Sequence, residues 1–183
     1  MNRLFVFEGL SGAGKSTVGA MLARAIGAAI YKTPAGLFGT IRSAVDDHAT
    51  LEARFLFYMA GVLQASQEIA KLLETSDVVC DRYLLTTVCW HQTIGVDTTA
   101  VEAFALPHLV VPDFTFLITT TDDARHRRMD SRTEGRTVND RNEAKGDLEK
   151  RFLANYLGRN PILIDNSTND PKDALQRILA IIR

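Results

Sequence analysis

The sequence predicts an α/β fold in which a doubly wound, five-stranded parallel sheet is flanked by helices. Short apolar runs of strand length alternate with longer segments of helical periodicity. The first apolar run leads into a glycine-rich loop and then into a helix-forming segment. No internal repeat or low-complexity linker interrupts this alternation. Strands separated by helices need crossover connections, and these favour parallel strands with both faces of the sheet covered.

The elements follow in order along the chain. Residues 3–8 are apolar, aromatic and β-branched and end at Gly9, so they are predicted to form the first strand. Further strands are predicted at residues 28–32, 78–81, 114–119 and 161–165. Helices are predicted at residues 16–26, 37–47, 50–75, 84–94, 98–107, 121–129, 141–157 and 171–182. The 183 residues, 46% of them hydrophobic, suit one core, so we expect a single domain over residues 1–183.

The charge, the lengths of the apolar runs and the positions of the cysteines predict which partners and which cellular location the protein has. The net charge of -1 and the pI of about 6.4 lack the positive excess of a nucleic-acid-binding surface, so no nucleic-acid partner is expected. No apolar run approaches the roughly 20 residues that span a bilayer, and residues 1–8 are short for a signal peptide. We therefore expect no membrane partner and a cytoplasmic location. Cys80 and Cys89 lie in apolar stretches without metal-ligand spacing, which predicts buried, reduced thiols.

The loop after the first strand carries a phosphate-binding pattern. The segment from Gly9 to Ser16 reads GLSGAGKS and fits G-x-x-x-x-G-K-[ST] between a predicted strand and a predicted helix. Its glycines let successive backbone N–H groups point at phosphate oxygens, and the helix N-terminus favours the same anion. Lys15 is expected to act catalytically at the β- and γ-phosphates, and Ser16 to bind Mg²⁺. The residues expected to hold ATP are Leu10, Ser11, Gly12, Ala13, Gly14, Lys15, Ser16 and Thr17.

A second pair of polar residues follows the third predicted strand. That strand delivers Asp81 and Arg82 to its carboxyl end, where parallel sheets place their ligands. Asp81 is a candidate for holding Mg²⁺ through water, and Arg82 offers a planar fork of donors for a phosphate or carboxylate. On the helix that follows, Thr87 and Trp90 or His91 share a face and are candidates to line an acceptor pocket. The alternatives are a surface ion pair for the first two and core packing for the Trp and the His.

Arginines are concentrated between residues 125 and 141. They are Arg125, Arg127, Arg128, Arg132, Arg136 and Arg141. A segment this polar is not expected to pack tightly in the core, so the sequence predicts a mobile flap. Arginines brought in by closure of such a flap stabilise the charge of phosphoryl transfer, and Arg128, Arg132 and Arg136 are the candidates for this catalytic role. The alternative is a solvated helix face paired with neighbouring acidic residues.

Three segments carry a family resemblance. They run from Phe5 to Thr17, from Asp81 through Tyr83 to Thr87, and from Val111 to Leu117. With them the chain resembles the thymidylate kinase family of nucleoside-monophosphate kinases along nearly its whole length. The resemblance implies a P-loop kinase fold with a short arginine-rich lid at about 128–141, and ATP with Mg²⁺ as the donor. It also implies that Arg82 grips the acceptor phosphate, that Phe57 stacks on the base, and that Trp90 lies beside the sugar.

The acceptor side departs from the family pattern. The family usually has Arg-Glu-Pro-Gly where this chain has Lys-Thr-Pro-Ala, so Pro34 is the one residue of the four that matches. Pro34 and Arg42 are expected to contact the acceptor. Ser11 stands where the family has an aspartate, and His91 where it has a glutamine. Residues 60 and 61 are Ala and Gly where the family has an Asp-Arg pair whose arginine reads the base. An acceptor with a base other than thymine is therefore left open.

The group that accepts the phosphate could be a hydroxyl or another phosphate. A hydroxyl nucleophile needs a carboxylate to take its proton, whereas a phosphate acceptor is already anionic. Deoxynucleoside kinases place a glutamate after the second strand, where this chain has Thr33 and Pro34, so the sequence favours a monophosphate. A kinase of a nucleoside or another small alcohol stays open because Asp81 or Glu8 could serve as the base. A non-catalytic nucleotide-binding regulatory module is the third hypothesis, and the apolar stretch from Leu51 to Leu63 suggests a homodimer of the family's kind.

Overall fold

A computed structural model describes residues 1–131, 147–168 and 170–183. Its strands form one five-stranded sheet and are β1 (Leu4–Glu8), β2 (Ala29–Lys32), β3 (Val78–Asp81), β4 (Phe114–Thr119) and β5 (Ile162–Asp165). Their order across the sheet is β2-β3-β1-β4-β5, and every neighbouring pair is parallel. The α/β class and the five-stranded parallel sheet expected from the sequence are confirmed.

Helices cover both faces of this sheet. Those in the described ranges are α1 (Lys15–Ile26), α2 (Gly36–His48), α3 (Leu51–Leu72), α4 (Leu84–Thr93), α5 (Thr99–Ala105), α6 (Asp122–Asp130), α7 (Leu148–Leu157) and α8 (Pro171–Ile182). A 3₁₀ turn follows α5 at Leu106–His108. The helix expected at 141–157 begins at Leu148 within the described ranges, and residues 141–146 lie outside them. None of the described helices combines the length and the apolar composition needed to cross a bilayer.

Local sequence signals explain where several helices begin. The Thr50 side chain accepts a hydrogen bond from the backbone N–H of Ala53 and caps α3. Thr121 caps α6 in the same way, and Asp170 caps α8, whose first residue is a proline. Side-chain oxygens at these positions satisfy N–H groups that the first helical turn leaves unpaired.

The central strand β1 supplies core residues to both faces of the sheet. Phe5 and Phe7 point to one face and pack against α1 and α8. Leu4 and Val6 point to the other face and pack against α3. These side chains are at most 1% exposed. A strand buried on both faces reads as a continuous apolar run, which is why β1 was visible in the sequence.

Pairing in the sheet brings three loops to one edge. Phe7 and Lys32 both lie opposite Asp81, so β1, β2 and β3 end at the same level. The backbone N–H of Arg82 donates to the Phe7 carbonyl at 2.9 Å, and the N–H of Thr33 donates to the Asp81 carbonyl at 3.2 Å. The segments that follow these strands therefore meet at the carboxyl edge, where parallel sheets bind ligands.

Candidate active site

The glycine loop between β1 and α1 has a backbone shape that other residues would not hold. Gly12 and Gly14 have φ values of 84° and 97°. A Cβ atom on Gly12 would lie 2.8 Å from the Arg125 carbonyl oxygen, and one on Gly14 would lie 2.3 Å from Asn166 Nδ2. Both the conformation and the close approach require glycine at these positions.

The lysine of the loop is folded back onto the loop itself. Lys15 is the first residue of α1 and 6% exposed, and its Nζ donates to the Leu10 carbonyl at 2.8 Å. Leu10, Ser11 and Ala13 are buried, whereas Ser16 and Thr17 are exposed. The ammonium group thus lies inside the curve of the loop, beside backbone N–H groups at a helix N-terminus. Such a cradle attracts a polyanion.

A hydroxyl and a carboxylate meet beside the loop. The Ser16 hydroxyl donates to Asp81 Oδ2 at 2.5 Å, which links the start of α1 to the end of β3. Hydroxyl and carboxylate oxygens are hard ligands of the kind that Mg²⁺ prefers, and that ion commonly uses one or two protein oxygens together with substrate phosphates and waters. The donor set therefore fits Mg²⁺. Among the described residues no cluster of three His, Cys, Asp or Glu side chains could hold a metal by itself.

Arg82 lies between the glycine loop and α4. Its Nη1 donates to Thr86 Oγ1 at 3.1 Å and its Nη2 to Ser11 Oγ at 3.3 Å. Its φ is 71°, a left-handed conformation that is unfavourable for residues other than glycine. Its carbonyl accepts hydrogen bonds from Thr33 Oγ1 and Cys80 Sγ, both at 3.0 Å. Strain of this kind is concentrated at functional sites.

A buried carboxylate, that of Glu8, is linked to Arg82 through a shared hydrogen-bond partner. Glu8 is fully buried and accepts hydrogen bonds from the Tyr83 backbone N–H at 3.0 Å and from Thr86 Oγ1. Burial raises the pKa of the Glu8 carboxyl, and the Thr86 hydrogen bond and the Arg82 charge partly offset this rise. Glu8 and Arg82 thus share Thr86 as a partner. Sequence reasoning considered Glu8 only as an alternative base, because its position in an apolar run gave no signal of this support.

Arg128 lies on the other side of the glycine loop. Its guanidinium donates to carbonyl oxygens of Ala13 at 3.4 Å, Asn166 at 2.9 Å and Thr168 at 3.1 Å. Asn166, 2% exposed, donates from Nδ2 to the same Ala13 carbonyl at 2.8 Å. Sequence reasoning missed Asn166, which follows an exposed strand end without a motif. The other predicted lid residues, Arg132 and Arg136, lie outside the described residues, as does Arg141.

Arg125 corrects the expectation that the arginine-rich segment stays out of the core. It belongs to α6 and is 1% exposed. Its Nη2 forms an ion pair with Glu149 of α7, and its Nη1 donates to the Ser11 carbonyl at 3.3 Å. A paired and hydrogen-bonded charge can be buried, and counting polar residues in a segment does not reveal such partners.

Aromatic residues line the space between α2 and α3. Phe57 of α3 packs against Phe38 of α2, with ring centroids 5.4 Å apart. A Cβ atom on Gly61 would lie 3.3 Å from the Phe38 ring, so Phe38 fills the space above residue 61. Pro34 lies two residues before the start of α2 and follows a cis peptide bond from Thr33. The predicted base-stacking residue Phe57 therefore faces a second phenylalanine.

The remaining acceptor candidate on α2 belongs to a polar network. Arg42 Nε lies 3.3 Å from Asp46 Oδ2 and 3.1 Å from the Tyr58 hydroxyl oxygen. The Tyr58 hydroxyl donates to Asp46 at 2.8 Å. The structure thus ties Arg42 to α3, and its role as an acceptor contact stays a prediction.

The residues of α4 predicted to line the acceptor pocket are almost completely buried. Thr87 and Trp90 are 6% and 8% exposed, and the Trp90 ring packs against Phe152 of α7 at 5.3 Å. His91 is 1% exposed and its Nδ1 bonds the Thr87 carbonyl at 2.7 Å. Burial lowers the pKa of His91 to about 4, so the ring is neutral at pH 7. The structure brings Thr87 and His91 together, and the assignment of Trp90 to the acceptor's sugar stays a prediction.

Comparisons with known proteins agree on one family. The family model for thymidylate kinase matches residues 7–178. A probable thymidylate kinase of Methanocaldococcus jannaschii is 23% identical over 186 residues, covering 100% of this chain and 96% of the relative. A probable thymidylate kinase of Methanococcus vannielii is 29% identical over 135 residues, covering 72% of this chain and 68% of the relative. The solved thymidylate kinase from Candida albicans is 18% identical and shares the fold with a TM-score of 0.77, covering 99% of this chain and 91% of that one. The solved thymidylate kinase from Ehrlichia chaffeensis is also 18% identical and shares the fold with a TM-score of 0.70, covering 100% of this chain and 99% of that one.

Proposed function

The chain belongs to the thymidylate kinase family, and from that premise we propose that it moves the γ-phosphate of ATP, bound with Mg²⁺ at the glycine loop, onto a nucleoside monophosphate held by Arg82. The protein is a P-loop nucleotide kinase. Family membership does not favour a hydroxyl acceptor or a non-catalytic switch. The assignments of ATP, Mg²⁺ and the individual residues below are part of the proposal.

One contact supports the proposal most directly. Arg82 Nη2 lies 3.3 Å from Ser11 Oγ, so the cation expected to hold the acceptor touches the loop expected to hold the donor. A phosphate bound by this guanidinium would lie next to phosphates cradled by the loop. Holding two reactants side by side converts a bimolecular step into an effectively unimolecular one, which is a large part of phosphoryl-transfer catalysis.

The donor side combines three kinds of positive potential. Backbone N–H groups of the glycine loop would donate to the phosphates, and the N-terminus of α1 adds its dipole. Lys15 exchanges the Leu10 carbonyl for phosphate oxygens when ATP binds. Ser16 and Asp81 would hold Mg²⁺, which when bound neutralises charge on the β- and γ-phosphate oxygens.

In the proposed reaction an anionic oxygen of the acceptor phosphate attacks the γ-phosphorus. The bond from that phosphorus to the β–γ bridging oxygen breaks, and ADP leaves with the electron pair. Arg82 holds the acceptor and offsets the repulsion between the two anions, while Lys15 offsets the charge developing on the donor. No protein base is needed, which agrees with the burial of Glu8 and its existing hydrogen bonds to Tyr83 and Thr86. Arg128, with Arg132 and Arg136, is retained as a candidate for further positive charge.

The base of the acceptor would lie against aromatic side chains. Phe38 covers Gly61 and faces Phe57, so two aromatic rings lie between α2 and α3. A buried polar reader gives strong discrimination between bases, whereas stacking tolerates any base because each has a π-face. We therefore propose that the acceptor site selects the phosphate strongly and the base weakly, with Thr87 and Trp90 nearer the sugar.

A homodimer is a further part of the proposal. Exposed apolar residues occur along α2 and α3, with Leu37 at 69%, Ile41 at 42%, Leu51 at 39% and Leu56 at 53% exposure. Apolar residues that cluster on one face of a monomer are typical of association surfaces. Analytical ultracentrifugation at micromolar concentration tests this, and a monomer at all concentrations would contradict it.

Initial-rate kinetics test the proposed reaction. ADP release is measured with ATP and with each nucleoside monophosphate and each nucleoside varied in turn, with ATP alone as the background. Direct transfer between adjacent phosphates predicts intersecting double-reciprocal lines, and weak base selection predicts kcat/KM values within about tenfold across the panel. If no monophosphate accelerates ADP release above the background, the proposal is wrong; if only nucleosides do, the hydroxyl acceptor is correct.

A further inference from the structure

The glycine loop is held from outside by a buried charge that belongs to α6. Arg125 Nη1 donates to the carbonyl of Ser11, in the middle of the loop. A Cβ atom on Gly12 would lie 2.8 Å from the Arg125 carbonyl oxygen and 2.9 Å from the Arg125 Cγ atom. Arg125 therefore contacts two consecutive residues of the loop at van der Waals or hydrogen-bond distance. The Ser11 carbonyl is thus turned toward this guanidinium.

The guanidinium is itself held by a second helix. Its Nη2 donates to Glu149 Oε2, in the first turn of α7. The Glu149 side chain is 18% exposed, and burial raises the pKa of its carboxyl although the Arg125 charge opposes this rise. Asp122 of α6 also raises the pKa of Glu149. Met129 Sδ lies 3.9 Å from Nη1 on the remaining side.

This arrangement serves the donor phosphates. An N–H group can point at a phosphate only when the carbonyls of the same loop point elsewhere, and a carbonyl near the ligand would repel it. Arg125 supplies a fixed partner for one such carbonyl, and Glu149 fixes the guanidinium in turn. Preorganised dipoles bind an anion more tightly than dipoles that must be turned on binding.

Resting on the proposed function, we infer that Arg125 is a positioning residue for the ATP phosphates, and that Glu149 acts on ATP binding through Arg125 without touching the loop. The pair makes the shape of the glycine loop depend on the docking of α7 against α6. Arg125 reaches the acceptor side through Ser11, whose Oγ accepts a hydrogen bond from Arg82. We therefore expect its main effect on the donor.

The experiment compares Arg125→Met, Arg125→Lys, Glu149→Gln and the double variant Arg125→Met with Glu149→Gln. Arg24→Met is the matched control, because Arg24 is an exposed arginine in the last turn of α1. Affinity for a non-hydrolysable ATP analogue is measured by titration calorimetry, and KM is measured separately for ATP and for the acceptor. Melting temperatures and folded fractions are recorded for every variant.

The hydrogen bond from Arg125 holds the Ser11 carbonyl within the protein, and losing an interaction of this strength changes an equilibrium constant by about tenfold or more. We expect Arg125→Met to weaken ATP-analogue affinity about tenfold and to leave the acceptor KM within about twofold, and Arg125→Lys to recover part of the affinity. Glu149→Gln should weaken the same affinity, and the double variant should be no weaker than Arg125→Met, because both changes act on one contact. Should Arg125→Met not fold, the Glu149→Gln comparison alone decides.

Two results would overturn the inference. One is unchanged ATP affinity in the folded fraction of Arg125→Met or Glu149→Gln, which would assign the pair to stability alone. The other is an equal rise of both KM values. Wild-type protein that binds no ATP analogue would instead overturn the proposed function, so the two failures are distinguishable.

Discussion

Replacing Arg82 by glycine and by alanine separates its backbone strain from its chemistry. Both substitutions remove the guanidinium and its hydrogen bonds to Thr86 and Ser11. Alanine keeps a Cβ at φ 71°, whereas glycine adopts this conformation freely. We therefore expect the glycine variant to be more stable than the alanine variant by about 1 kcal/mol. For a chain of this size that corresponds to a melting temperature about 2–4 °C higher.

The effect on activity should be large and the same in both variants. A guanidinium that donates two hydrogen bonds to an acceptor phosphate contributes about 1.5–3 kcal/mol through each. Their loss should lower kcat/KM for the acceptor by roughly 100-fold to 10,000-fold. The assay is ADP release at varied acceptor and saturating ATP, combined with calorimetric melting.

Asn160 provides the matched control, because it has φ 51° and lies beyond α7, at the opposite end of the sheet from the glycine loop. Asn160→Gly should likewise be more stable than Asn160→Ala, with activity unchanged. Equal stability of the two Arg82 variants would refute the strain at this residue. Activity within about threefold of wild type in either variant would refute its role in holding the acceptor.

Three further outcomes are expected. Lys15→Met should lower kcat about 100-fold to 1,000-fold in the ADP-release assay, since one charged donor to the transferring phosphate is lost. Gly14→Ala should reduce the free energy of unfolding in urea by about 1–3 kcal/mol more than Gly27→Ala, because both have positive φ but only the first meets a neighbour at 2.3 Å. Since the pKa of His91 falls from 6.5 to about 4 in the folded chain, unfolding takes up a proton between these values. The free energy of unfolding should therefore drop by about 2 kcal/mol from pH 7 to pH 5, and His91→Gln should remove this contribution to its pH dependence.

Local signals made the sheet and the donor loop predictable from the sequence. The run at β1 is buried on both faces and so is apolar throughout, and a glycine pattern directly follows it. The same logic placed Asp81 at a strand end, where the structure joins it to Ser16. Each of these inferences depends on neighbouring residues or on a strand's end, which a sequence displays directly.

The contacts that the sequence did not reveal join distant positions. Arg125 and Ser11 are 114 positions apart, and Asn166 and Ala13 are 153 apart. A charged residue in a polar segment reads as solvated until its partner is known, which is why the burial of Arg125 was not foreseen. The arrangement of Phe38 over Gly61 is hidden for the same reason, since it depends on how α2 docks against α3.

The central claim is that a phosphate on the glycine loop passes to a phosphate held by Arg82. Phosphorus NMR of the protein with Mg²⁺, ATP, a mixture of nucleoside monophosphates and a mixture of nucleosides tests it in one measurement. The account predicts that ADP and nucleoside diphosphates appear in equal amounts while the nucleosides stay unmodified. Appearance of new nucleoside monophosphate at the expense of nucleosides, or of inorganic phosphate alone, would contradict it.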